Sequence, residues 1–125
     1  MAKRKVRKPP AIDSRLIGTW KSDRRRTFRR YKPKPTAPAR SIRKLKSLFG
    51  KLVVRWGRGK YYTEMDGDKW SNAYEVIASD QYSVVVRSKD DLSAEPRLQQ
   101  IHFEGDWYWL AISPGLCEYF KRVTP

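Results

Sequence analysis

The sequence is poor in the residues on which most catalytic and metal chemistry depends: its 125 residues include one histidine, His102, and one cysteine, Cys117. A single thiol excludes an internal disulfide and any multi-thiolate zinc site, and it fits a reducing compartment, so a cytoplasmic location is expected. Nucleophilic chemistry of the Ser-His-Asp or Cys-His type needs a base. His102 lies in an alternating segment where Ile101 and Phe103 point the other way, which reads as an outward strand histidine. No spacing ties Cys117 to it, and Cys117 reads as a small buried thiol. Glu64, Asp66 and Asp68 place three carboxylates within five residues. That stretch is too short for a twelve-residue calcium loop and lacks its closing glutamate, so it reads as a hairpin turn with solvated acids. Nothing singles out a carboxylate pair for glycoside chemistry among the 13 acids. A phosphate-cradling Gly-x-x-x-x-Gly-Lys is absent, as is any apolar run near the roughly 18 residues of a membrane span. Met1–Pro10 is charged with no apolar stretch behind it, unlike a secretory signal. The expectation is a protein that is not an enzyme and needs neither metal nor cofactor.

One further absence turns the argument positive. From Arg24 to Thr63 there is no acidic residue, while 15 are Lys or Arg. Residues 1 to 60 hold 22 Lys/Arg against 2 Asp/Glu, and residues 61 to 125 hold 6 against 11, so the first half is near +20 and the second near −5. Sequence neighbours cannot neutralise such a run, which points to an anionic partner.

The length suits one domain, and 16 aromatic residues supply large packing units for its core. Residues 1–13 combine five bases with Pro9-Pro10 and read as a disordered basic tail, leaving 14–125 as the folded unit. Leu16–Trp20 reads as a first strand. Arg24–Tyr31 either extends it or forms a separate arm, and Pro33, Pro35 and Pro38 then forbid regular structure. Ser41 can cap a basic amphipathic helix at about 40–50, with Ile42, Leu45, Leu48 and Phe49 on one stripe and Gly50 ending it. The period then changes from 3.6 to 2. Strands are expected at 52–56, 60–65, 72–79, 82–88, 97–104, 107–112 and 117–123, separated by turn sequences such as Asp66-Gly67 and Gly105-Asp106. Tyr82, Val84 and Val86 would face inward, and Trp107–Ile112, apolar on both faces, would meet the helix or a partner outside. Eight strands with short connections after the first favour a mainly β fold, an antiparallel up-and-down barrel whose closure removes its edges, with the helix plugging or covering one mouth.

Gly18-Thr19-Trp20 on the first strand, a long lid-like connection, seven further strands and Arg122 near the end of the last resemble the lipocalin and calycin group of barrels. The resemblance implies that Gly18 and Trp20 pack at the closed end beneath Arg122, with cation–π attraction between ring and guanidinium. Unlike a secreted lipocalin, the chain is short and lacks a cystine pair, and the family is defined by shape rather than by activity.

Two functional readings follow. In the first, bases interleaved with aromatics bind nucleic acid, RNA favoured, with little sequence specificity. The contacts would come from Lys3, Arg4, Lys5, Arg7 and Lys8 of the tail, Arg24, Arg25, Arg26, Arg29 and Arg30 of the connection, and Arg43, Lys44 and Lys46 of the helix. In the second, the barrel interior carries a small apolar ligand against Trp56, Tyr74, Val84, Phe103 and Trp109. An acidic protein face is a further candidate partner, and the same charge could address an anionic membrane surface.

Overall fold

The computed structural model describes residues 12–29, 31, 35–88, 96–113 and 115–123. Alternation of inward and outward side chains builds eight strands: β1 (Gly18–Asp23), β2 (Val53–Trp56), β3 (Lys60–Met65), β4 (Asp68–Ser79), β5 (Ser83–Ser88), β6 (Arg97–Glu104), β7 (Trp107–Ser113) and β8 (Leu116–Arg122). Each pairs antiparallel with the next, and β8 pairs back onto β1, so the sheet is a closed barrel without free edges. The expected architecture is present. Asp66-Gly67 makes a two-residue hairpin, with φ of 51° and 88°, the left-handed pair that matches strand twist.

Two short helices occupy the connection after β1, where one was expected. The first, α1 (Arg24–Arg29), stands where a strand extension or an arm was expected: the Asp23 carboxylate accepts a hydrogen bond from the Arg26 N–H at 2.8 Å and caps a helical turn. It lies along β8, with Thr27 buried and its Oγ1 accepting from the Tyr119 N–H at 3.0 Å. The second, α2 (Ala39–Leu48), begins before Ser41, and Pro38 is its uncapped N-cap. None of its ten residues is buried, and Leu48 is half exposed, so it does not plug the barrel. The Phe49 ring, edge-on to Phe28 at 5.2 Å, joins the end of α2 to α1.

The interior is a continuous cluster of Trp20, Val54, Trp56, Tyr74, Val84, Val86, Ile101, Tyr108, Leu110 and Phe120, closed by Leu16 from the segment before β1. Leu16 is in a turn rather than the first strand, and Asp13, expected in the tail, is buried in this end cap. Tyr82 does not face inward. The Asp80 carboxylate accepts from the N–H groups of Tyr82 and Ser83, both at 2.8 Å, so Tyr82 stays in the turn, 67% exposed, and the strand starts one residue later. Those two backbone donors also hold the Asp80 carboxyl below its usual pKa.

One end of the barrel is sewn shut. The Arg122 guanidinium lies 4.2 Å from the Trp20 ring, and it donates to the carbonyls of Ile17 at 3.0 Å and Arg15 at 2.6 Å. The Trp20 indole N–H donates to the Leu16 carbonyl at 2.9 Å. Arg15 in turn grips Asp13, keeping that carboxyl below its usual pKa, reaches the Gln81 carbonyl at 2.8 Å, and lies 4.6 Å over Phe103. Gly18 has φ +134°, and a Cβ there would sit 2.8 Å from the Arg122 Nη1.

Replacing Arg122 by Met keeps the stem but orphans two carbonyls and removes the cation, at a cost of about 2–4 kcal/mol. Gly18→Ala costs about 1–3 kcal/mol through strain and displaced guanidinium. Thermal unfolding checks both: an Arg122→Met variant melting with the parent would show that the guanidinium does not hold this end.

Candidate functional site

The closing seam gathers positive charge. In register, Trp20 faces Arg122 on the inside, which places Lys21 directly opposite Lys121 on the outside, both exposed. Like charges at directly paired positions destabilise a sheet. Beside them, where α1 starts and α2 ends, Arg24, Arg25 and Lys51 complete the charged lining of an open cleft of about 580 Å³, whose other walls include Ser47, Phe49 and Gly50. Arg122 also lines it, although its guanidinium is committed beneath Trp20. Among the described residues, the acid that lines the cleft is Asp23, whose Oδ1 caps α1. Lys51 lies 3.4 Å from Asp66 in a well-exposed pair, which contributes little.

The expected nucleic-acid residues divide. Arg24 and Arg25 are exposed in the cleft. Arg26 is internally committed: it pairs with Glu104 at 3.1 Å and lies 4.3 Å over Trp107 and 5.2 Å over Tyr119. Arg26 thereby covers Trp107 at the start of the outer face of β7, so that part of the face meets α1. Arg29 is exposed at the end of α1, and Arg43, Lys44 and Lys46 are exposed along α2, Lys46 lying 5.8 Å from the Phe28 ring. Lys3, Arg4, Lys5, Arg7, Lys8 and Arg30 lie outside the described residues. Lys21, Lys51 and Lys121 are additions. The first and last follow from register alone: in an antiparallel pair where Trp20 meets Arg122, the residue after one must meet the residue before the other.

Of the five residues expected to line an interior site, Trp56, Tyr74 and Val84 are buried in the core and Phe103 packs against it. Trp109 is a correction. It shares the outer face with His102, their rings stacked at 3.9 Å, because the inward positions of β7 fall to Tyr108 and Leu110. The interior rings are in mutual contact: Trp56 meets Tyr61 and Tyr74 at 4.9 Å each, Tyr108 meets Trp20 at 4.6 Å and Phe120 at 4.8 Å, and the Trp56 indole N–H donates to the Tyr108 hydroxyl at 3.2 Å. Side chains fill this part of the barrel, as small barrels allow. Cys117 is half-buried and pairs with Ala111 on the outer face. Glu64, Asp66 and Asp68 are exposed, and among the described residues no three His, Cys, Asp or Glu side chains converge on a possible metal position. No helix among the described residues is long and apolar enough to cross a membrane.

A carboxyl group lies inside the barrel. Glu118 is buried on the inner face of β8 and accepts from the Ser22 hydroxyl at 2.7 Å. Burial pushes its pKa above 4.5, and the single hydroxyl only partly offsets this. The folded chain thus holds this proton more tightly than the unfolded chain. The resulting stability is present below pH 4.5 and is lost as pH rises through the elevated pKa. Glu118→Gln, which retains a partner for Ser22, should therefore melt higher than the parent at pH 8, with the gap shrinking toward pH 4. Melting curves across that range check it, and parallel profiles for the two proteins would contradict a buried, proton-retaining Glu118.

No family model matches the chain, and comparison with curated proteins and with solved structures returns no match either, so no activity is carried over from a relative.

Proposed function

We propose that this barrel is a non-enzymatic binding protein that takes an anionic partner, RNA foremost, on the basic cleft along its closing seam, through backbone phosphates and with little sequence specificity. The observation that carries the reading is the direct opposition of Lys21 and Lys121 beside Arg24, Arg25 and Lys51. Two lysines facing each other across one rung work against the seam they sit on, and a phosphate between them would turn that repulsion into two charge-assisted contacts. A chain with net charge +15 also attracts polyanions at long range. The exposed bases of α2, and those of the tail in sequence, extend the same field. By shape the protein would belong with the lipocalin and calycin group, a placement supported by the Trp20–Arg122 stack under the Gly18 strand start. A cytoplasmic location accords with the lone thiol and with a nucleic-acid partner.

Binding of a labelled RNA should weaken steeply with salt. Changing Lys21 and Lys121 to Gln should lower affinity roughly five-fold each at 0.1 M salt and flatten the log–log salt slope by about 0.7 per lysine, as loss of one phosphate contact each requires. The free Lys21→Gln protein should melt slightly higher than the parent at low salt, by up to about 1 kcal/mol of stability, since a like-charge pair has been relieved. Salt-independent binding, or unchanged affinity in the double variant, would sink the proposal.

A further inference from the structure

Resting on that reading, we infer that the partner strand is unpaired where it is bound, because the basic cleft continues into a surface built to stack bases. The rung that carries Lys121 and Lys21 runs on through Val53, Glu64 and Lys69, and the next rung runs from Thr19 through Arg55 and Tyr62 to Ser71. Beyond the two lysines, these outward positions line a second open cleft of about 520 Å³ across β1 to β4; Trp70 also lines it, although its register position is on the inward rung of Thr63 and Val54. At spacings near 4.8 Å between strands, Lys21 and Tyr62 lie roughly 10 Å apart across the sheet, so one strand of nucleic acid can touch both clefts.

Two rings at this cleft are open to solvent. Trp70 is 43% exposed and Tyr62 is 38% exposed, whereas Trp20 and Trp56 are buried in the core and Trp107 lies under Arg26. The Arg55 guanidinium lies 4.1 Å over Tyr62, which leaves a flat cationic plate beside Lys60, 5.5 Å from the same ring. Aromatic and guanidinium planes flanked by positive charge suit splayed bases with adjoining phosphates. A duplex hides its base faces and gains nothing from such rings. An acidic protein surface would use the charges and leave Trp70 idle.

The test compares binding of an RNA of about 12 nucleotides, within the span that single-strand-binding barrels cover, with binding of the same sequence as a duplex and of inorganic polyphosphate. The single strand should bind more tightly than the duplex. Trp70→Ala should weaken single-strand binding roughly 5- to 100-fold, the range for loss of one stacked base, without changing duplex binding or the salt slope. Tyr62→Ser serves in its place if circular dichroism shows the alanine variant unfolded. Equal binding of single strand and duplex with no effect of either variant would overturn this inference and leave the basic cleft standing. Polyphosphate displacing the single strand as well as RNA does, charge for charge, would overturn it too. No binding of any of the three at low salt would overturn both readings.

Discussion

Everything in this fold depends on one guanidinium being held between a tryptophan ring and two carbonyls. Arg122 stacks on Trp20 and donates to Ile17 and Arg15, so a single side chain joins the last strand, the first strand and the segment that covers the barrel end. A desolvated cation–π contact is worth about 2 kcal/mol and a hydrogen bond to a charged donor about 1.5–3, so this one residue rivals a large core side chain. It also fixes register. Sliding β8 by one residue along β1 would turn Arg122 outward, Lys121 inward, and every core residue of the strand to the wrong face.

That fixed register is why charge accumulates where it does. Trp20 inside against Arg122 forces Lys21 outside against Lys121. The chain's basic excess, which in sequence looks spread over sixty residues, is partly absorbed. Arg15 is bound to Asp13, Arg26 to Glu104 and two rings, and Arg122 to Trp20. Among the described residues, exposed bases line the seam and α2, which gives part of the electrostatic asymmetry a definite location.

Much of the fold is legible in the sequence because alternation and turn chemistry agree. Asp66-Gly67 and Gly105-Asp106 separate runs whose inward residues are mainly apolar, and the eight expected strands are those observed, though β4 begins several residues earlier. What is illegible has local causes. Arg24–Arg29 carries no apolar period, and its only helix signal is the capping Asp23, one residue that equally suits a strand end. Trp107 to Ile112 is apolar on both faces, so alternation could not say that Trp109 faces out; Arg26 and His102 shield those outer rings. Tyr82 escapes the alternation of its strand because the Asp80 turn claims it. In the site, Arg24 and Arg25 are visible as charge, whereas Lys21 and Lys121 become neighbours only through pairing of residues about a hundred positions apart.

That separation governs how the molecule is made. Seven of the eight strand pairings join neighbours in sequence and can zip progressively, whereas β1 with β8 must bring together nearly opposite ends of the polymer. This step bears the largest loop-closure entropy in the fold and raises its contact order. It is also the step at which Lys21 and Lys121 are driven together, so ring closure is the event most sensitive to ionic strength. Dissolved ions should speed it by screening those charges, which makes solution salt a determinant of how fast this barrel closes as well as of what it holds.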